Sequence, residues 1–158
     1  MNQDINLERR KALKMGGSFG LLGFLAAVGL VQSGTAWAEG VNPAFEAKTM
    51  DEALNALGAV MPASSAAVQL TAPEIAENGA FVPVTVTSSL LRTEQISILV
   101  DKNPYMLVAN FILAEETEGA ITTRIKMSQT AMVIALVKAD GKFYRASREV
   151  KVVQGGCG

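Results

Sequence analysis

The sequence predicts an all-β domain, an immunoglobulin-like β-sandwich of about seven strands with a short N-terminal helix and a flexible C-terminal tail. From Ala67 onward, short segments of alternating apolar and polar residues recur about every ten positions, and turn-forming residues separate them. No helical periodicity interrupts these segments, which argues against a doubly wound α/β sheet. A small barrel is the alternative that this pattern leaves open.

Residues 1–38 are predicted to be an export signal that is cleaved. The stretch Glu8-Arg9-Arg10 ends in an arginine pair that resembles a twin-arginine signal, with glutamate where a serine is often found. An apolar run from Met15 to Val31 follows, and Ala36-Trp37-Ala38 has the small-x-small pattern of a signal-peptidase site. A membrane anchor is the alternative, but about 17 apolar residues is the low edge for a spanning helix. We therefore expect a periplasmic protein without a stable membrane anchor after cleavage.

The composition of the remaining chain excludes several classes of function. Without the signal, ten basic and thirteen acidic residues give a net charge of −3, which argues against nucleic acid as a partner. The chain has no histidine and one cysteine, so it lacks the ligands of a structural zinc site or a haem attachment pair. We therefore expect no metal and no cofactor. Because the twin-arginine route carries folded cargo, a partner subunit exported together with this chain is the expected reason for using it.

One short helix is predicted after residue 49. Thr49 and Glu52 have the spacing of a capping box, and Gly58 is expected to stop the helix. Three apolar residues fall at helical spacing and form one stripe, which is expected to pack on a sheet: Met50, Leu54 and Leu57.

The first predicted strands are Val68 to Thr71 and Phe81 to Thr87. Between them, Asn78-Gly79 is predicted to form a tight turn because both residues tolerate a positive φ. Pro83 lacks an amide hydrogen, so the second of these strands is expected to lie at an edge or to carry a bulge.

The middle of the chain predicts three further strands. One covers Ile96 to Val100 and ends at the turn formers Asp101 to Pro104, and a more continuously apolar one, Leu107 to Ala114, is expected to be central and covered on both faces. The third, Ile121 to Met127, alternates with a basic outer face.

The last two strands are predicted to form a hairpin. They cover Ala131 to Lys138 and Lys142 to Val153, and Asp140-Gly141 between them is a strong hairpin signal. The helix and sandwich domain is therefore predicted to span residues 39–153.

The candidate site is Cys157, the only cysteine, which we interpret as a point of substrate attachment. Gly155, Gly156 and Gly158 surround it and predict a flexible arm over residues 154–158. Four residue steps from Val153 extend at most about 14 Å, enough for the thiol to enter a narrow cleft of a partner. The nearest basic residue is Lys151, so nothing close in sequence activates the thiol, and we predict no catalytic residue.

Other polar groups have simpler interpretations. Ser88 and Ser89 lack a histidine base, and no Ser-x-x-Lys motif accompanies them. Glu94 with Asp101 is a further candidate with an ordinary explanation, and the acidic run Glu115 to Glu118 lacks the spaced ligands of a calcium loop. A solvated acidic surface is the favoured interpretation of that run.

Several of these stretches together resemble the SoxY family, the sulfur-compound carrier of the periplasmic thiosulfate-oxidising system. Besides the arginine signal they are residues 73–80, 100–104, 123–127 and 139–142, and the terminal Gly155-Gly156-Cys157-Gly158. The family tail usually has two glycines after the cysteine, whereas only Gly158 follows it here.

The resemblance implies a heterodimer with a second sandwich subunit, SoxZ, and a sulfur intermediate held on Cys157. It also implies three kinds of partner enzyme: a haem c enzyme that conjugates thiosulfate to the thiol, a thiohydrolase that releases sulfate, and, where the host has one, a sulfur dehydrogenase. The carrier itself would catalyse none of these steps.

Two other functions remain open at this level. One is a structural or adhesive sandwich whose tail cysteine forms a regulatory interchain disulfide. The other is a self-sufficient thiol enzyme, which the absence of an activating base disfavours.

Overall fold

The computed structural model describes residues 42–155, which form nine strands and one α-helix. The predicted signal, residues 1–38, and the arm residues Gly156, Cys157 and Gly158 lie outside the described residues. A 3-10 helical turn, Pro43–Glu46, precedes the helix α1, Met50–Ala56. The strands are β1 Ala63–Ser64, β2 Val68–Thr71, β3 Ile75–Asn78, β4 Val82–Ser88, β5 Thr93–Val100, β6 Leu107–Ile112, β7 Ala120–Ile125, β8 Ala131–Ala139 and β9 Lys142–Gln154.

The helix begins at the predicted capping box. The Glu52 amide donates to Thr49 Oγ1 at 3.2 Å, and the Thr49 amide donates to Glu52 Oε2 at 3.3 Å, so two otherwise unpaired N–H groups are satisfied. Gly58 follows the helix with φ of 72°, a left-handed conformation that glycine adopts at low cost. The predicted start and stop of this helix are confirmed.

The strands form two sheets rather than a closed barrel. The larger has the order β1-β9-β8-β5-β6, with β3 also paired to β9, and the smaller has the order β2-β4-β7. Valines of β4 meet isoleucines of β5 in one core between the sheets, for example Val84 and Ile98, which are at most 1% exposed. The predicted two-sheet sandwich is confirmed, with nine strands instead of about seven.

The helix covers the outer face of the larger sheet. Leu99, Leu107 and Leu136 point away from the main core and pack with Met50 and Leu54 of α1 in a second apolar cluster. The prediction that the apolar stripe of the helix packs on a sheet is therefore confirmed.

The prediction that residues 107–114 form the central strand is wrong. Strand β6 lies at the edge of the larger sheet and stops at Ile112, which is 72% exposed, while β5 and β8 occupy the centre. In β5, Ile98 enters the main core and Leu99 enters the helix-side cluster, so both of its faces are covered. An apolar run alone does not distinguish a central strand from an edge strand, because the neighbours of a strand are set by distant parts of the chain.

Two strands are absent from the sequence prediction. The short strands β1 and β3 both pair in parallel with β9, far along the chain. The predicted Asn78-Gly79 turn is present in a different form, since neither residue has a positive φ. Instead, Asn78 Oδ1 accepts from the Ala80 amide at 2.8 Å, which is the local hydrogen bond of an Asx turn.

The prediction that the strand containing Pro83 lies at an edge or carries a bulge is wrong for the strand as a whole, because β4 lies between β2 and β7 and pairs with β7 without a register shift. Pro83 lies on β4 opposite Arg124 of β7, in a part of β4 that β2 does not reach, so the strand has a single neighbour there. The β8–β9 hairpin turns at Asp140 and Gly141, with φ of 48° and 71°, as a two-residue turn of this type requires.

Candidate functional site

The tail leaves the domain from the end of β9, which is held by neighbouring chain on its β3 side. In the parallel pairing of these strands, Ala76 lies opposite Val152 and Asn78 lies opposite Gln154. The Gly79 amide then donates to the Gln154 carbonyl at 2.7 Å. Strand β9 therefore extends one residue past the predicted domain end at 153 and delivers Gly155 from a fixed position.

Gly155 packs against the backbone of the loop that joins β7 to β8. A Cβ atom added at Gly155 would overlap the Ser128 carbonyl oxygen and would lie 3.3 Å from its carbonyl carbon. Since both atoms belong to the backbone, no change of side-chain rotamer relieves the overlap. Steric contact with the loop therefore restricts position 155 to glycine, and any larger residue would require the loop to move.

The loop itself is held by the side chain of Asn103. Asn103 Nδ2 donates to the Lys126 carbonyl at 2.8 Å, and Asn103 Oδ1 accepts from the Ser128 amide at 3.0 Å. Asn103 is 7% exposed, and these bonds satisfy both ends of its amide. Ser128 Oγ also donates to the Lys102 carbonyl at 2.9 Å.

A second side chain of the same loop, Thr130, holds the C-terminal end of strand β9. The Val152 amide donates to Thr130 Oγ1 at 3.0 Å. We call the four residues that surround the strand end the collar: Gly79, Asn103, Ser128 and Thr130. The sequence prediction did not include the collar. The turn signals at Asn78-Gly79 and Asn103-Pro104 pointed to two of its residues, but neither signal predicts a contact with the tail.

The position of Gly155 sets a limit on the reach of the candidate thiol. Cys157 lies outside the described residues, two residue steps after Gly155. Two steps span at most about 7 Å between the Cα atoms, half of the reach that is calculated from Val153. Chain length therefore limits how far the backbone of this cysteine can lie from the collar.

The surface next to the collar is partly apolar and partly basic. Ile75 of β3 and Val153 of β9 are 56% and 75% exposed, and exposed Lys151 lies opposite Ile75. Asn103 also lines a groove of about 410 Å³ between residues of β6 and β7, with Arg124 and Lys126 in its wall. Such a surface can contact a partner through both apolar and charged groups.

The two serines with no base are structural. Ser88 Oγ lies 2.8 Å from Thr93 Oγ1 and accepts from the Leu90 amide at 3.3 Å, which closes the turn between β4 and β5. Ser89 Oγ bonds to the Ala67 carbonyl at 3.4 Å.

The two carboxylates that were considered together, Glu94 and Asp101, lie at opposite ends of β5. Seven residue steps of strand separate them by about 23 Å. Glu94 accepts from the Gly141 amide at 3.0 Å and lies 3.1 Å from Lys138 Nζ, and these groups hold the pKa of its carboxyl below the ordinary value. Asp101 accepts from the Met132 amide at 2.9 Å. Neither carboxylate forms a paired catalytic site.

The acidic run Glu115 to Glu118 is exposed, in agreement with the predicted solvated surface. It borders a cleft of about 800 Å³ at the end of β5 that is remote from the collar. Within residues 42–155, no three His, Cys, Asp or Glu side chains converge as metal ligands. In the same range, no helix has the length and apolar character needed to cross a bilayer.

The fold and tail define a class: a small all-β sandwich whose one thiol follows the last strand on a glycine tail. The family model described as "Sulfur oxidation protein SoxY" matches residues 54–157, about two thirds of the sequence, and the match includes the cysteine. The chain belongs to the SoxY family.

A solved structure supports this assignment. The sulfur carrier protein SoxY from Chlorobium limicola f thiosulfatophilum is 43% identical, with a TM-score of 0.61, over 70% of this chain and 97% of that chain. A superoxide reductase (neelaredoxin) from Ignicoccus hospitalis shows 15% identity and a TM-score of 0.46 over 54% of this chain and 79% of that chain, too remote to bear on function. No curated protein sequence gives a significant match.

Proposed function

We propose that this chain is a covalent sulfur carrier whose attachment point is Cys157. The observation that carries the proposal is the family match, which continues through the sandwich and ends at that cysteine. The solved relative at 43% identity is itself a sulfur carrier protein. The structure adds support, because β9 delivers the tail from a rigid support at the surface.

The loading step joins the cysteine sulfur to the outer sulfur of thiosulfate. One S–S bond forms, the thiol proton is released, and two electrons leave, giving a cysteine S-thiosulfonate with a single negative charge. A haem c enzyme is the proposed acceptor of the two electrons. This oxidant belongs to a partner, since the sequence offers no histidine and no second cysteine.

The unloading step is a hydrolysis. Water cleaves the bond between the two sulfur atoms of the adduct that came from thiosulfate. Sulfate and a proton leave, and a persulfide remains on Cys157 with one hydrogen from the water. A thiohydrolase supplies this activity, and a sulfur dehydrogenase, where present, oxidises the remaining sulfane sulfur.

The proposal includes a location and a partner subunit. Residues 1–38 direct export through the twin-arginine route to the periplasm, and a SoxZ-like sandwich subunit is exported with this chain as a heterodimer. Copurification of a small all-β protein from the native host tests the second point.

The carrier role is tested by adding the purified full chain to extract from a host strain that lacks it. With thiosulfate present, the wild-type chain restores thiosulfate consumption and sulfate release, while Cys157→Ser restores neither. The control Leu91→Ala, at an 82% exposed position outside the collar, keeps the thiol and restores both. Restoration by Cys157→Ser would overturn the proposal, and turnover of thiosulfate by the purified chain alone would replace it with a thiol enzyme.

A further inference from the structure

We infer that Gly155 is the fixed root of the arm and does not swing, and that the collar positions it for the partner enzymes. On this inference, the predicted flexible arm starts after Gly155 and not at residue 154. The use of this arm rests on the proposed carrier function, whereas the anchoring of Gly155 is a property of the folded domain.

The first support is the packing of Gly155 itself. Its backbone approaches the Ser128 carbonyl so closely that a methyl group does not fit between them. A residue that swings in solvent has no such restriction. Gly58 and Gly141 differ from Gly155, because a Cβ atom at either position would lie in open space. The need for glycine at those two positions is explained by their positive φ angles. Gly155 is therefore required for close approach to the loop.

The second support is that the chain before Gly155 is bonded on two sides. On one side the Gly79 amide donates to the Gln154 carbonyl, and the Met127 amide donates to the Gly79 carbonyl, both at 2.7 Å. On the other side the Val152 amide donates to Thr130 Oγ1. The final residues of β9 are thus bonded to β3 and to the loop after β7, and the strand end cannot rotate without breaking these bonds.

The third support is that the surface which Gly155 contacts is itself immobilised. Asn103 is 7% exposed and bonds to the loop on both sides of Met127, at the Lys126 carbonyl and the Ser128 amide. Met127 is fully buried in the main core. The Ser128 carbonyl is therefore anchored by a buried side chain and by two hydrogen bonds of Asn103.

This arrangement determines how the carrier meets its enzymes. With Gly155 fixed, chain length alone limits the Cα atom of Cys157 to about 7 Å from the Gly155 Cα atom. A partner whose reactive centre is recessed by about this distance plus the length of the cysteine side chain and its adduct must also bring its surface into contact with the collar. The collar is then a positioning element, and changes in it alter the recognition of the carrier without altering the thiol.

Hydrogen exchange tests the anchoring directly. In the full chain, Gly155→Ala is expected to speed exchange of the Gly79 and Val152 amides severalfold, because the added methyl group pushes the strand end off the loop. The matched variant Gly156→Ala is expected to leave both rates unchanged. Equal effects of the two substitutions, or no effect of Gly155→Ala, would overturn the inference. Should Gly155→Ala fail to fold, Thr130→Val removes one collar bond at similar volume and must speed exchange of the Val152 amide.

A kinetic readout separates positioning from a structural role. Gly155→Ala is expected to raise the KM of the conjugating enzyme for the carrier severalfold while the rate of alkylation of Cys157 by iodoacetamide stays the same. An unchanged KM would show that the collar does not position the arm. The exchange experiment involves no sulfur chemistry, so its outcome is independent of whether Cys157 carries sulfur.

Discussion

Asn103→Ala is predicted to be strongly destabilising for a surface-loop substitution. The side chain makes three hydrogen bonds, with the Lys126 carbonyl at 2.8 Å, the Ser128 amide at 3.0 Å and Ser128 Oγ at 3.2 Å. Each is worth about 0.5–1.5 kcal/mol net, and a buried group that loses its partner costs about 1–3 kcal/mol. Ser128 is only half-buried, so water restores part of the loss. We expect a decrease of about 2–3 kcal/mol in the free energy of unfolding.

Urea unfolding of the full chain measures this loss. The midpoint is expected to fall while the slope with urea concentration stays the same, because the substitution changes stability and not the surface that unfolding exposes. Ser128→Ala is the matched control, since it removes hydroxyl bonds from the same loop but leaves its backbone bonded to Asn103, and it is expected to cost less than about 1 kcal/mol. If the two variants lose equal stability, or Asn103→Ala loses less than about 1 kcal/mol, the collar is not held as described.

Two further predictions concern the parts of the domain that support the tail. Leu136→Ala removes a 1% exposed side chain that packs between the larger sheet and α1, and it is expected to lower the free energy of unfolding in urea by about 2–5 kcal/mol. The control Leu91→Ala, at an 82% exposed position, is expected to change that free energy by less than about 0.5 kcal/mol. Equal losses in the two variants would contradict the packing of the helix on the sheet. The bonds of Glu94 to the Gly141 amide and Lys138 lower its pKa from 4.5, so they stabilise the fold above that pH and are lost as the pH falls through the lowered value. Glu94→Gln is therefore expected to flatten the dependence of the urea midpoint on pH below 4.5, and a dependence identical to that of the wild type would refute the assignment.

The local features of the fold could be predicted because their causes lie within a few residues. The capping box of Thr49 and Glu52 and the hairpin turn at Asp140 and Gly141 depend on side-chain chemistry and on φ preference at adjacent positions. The position of each strand in its sheet depends on distant neighbours. Strand β6 is as apolar as a central strand but has only β5 beside it, and β3 forms only because β9 lies next to it.

The candidate site also has one part that the sequence predicts and one part that depends on distant residues. Cys157 is identifiable from the sequence because it is the only cysteine and glycines surround it. The role of Gly155 is not, because the Ser128 carbonyl that excludes a side chain there lies 27 positions earlier in the chain. A glycine kept for flexibility and a glycine kept for close approach look the same in a sequence, and only the surrounding structure separates them.

The most direct test of the central claim is mass spectrometry of the C-terminal peptide, using protein isolated without reductant from host cells oxidising thiosulfate. A carrier is predicted to show part of Cys157 with a thiosulfonate or persulfide adduct, removed by a reducing agent and absent from cells grown without a sulfur source to oxidise. Cys157 found only as the free thiol, or only as an interchain disulfide, during active thiosulfate oxidation would contradict the proposed function.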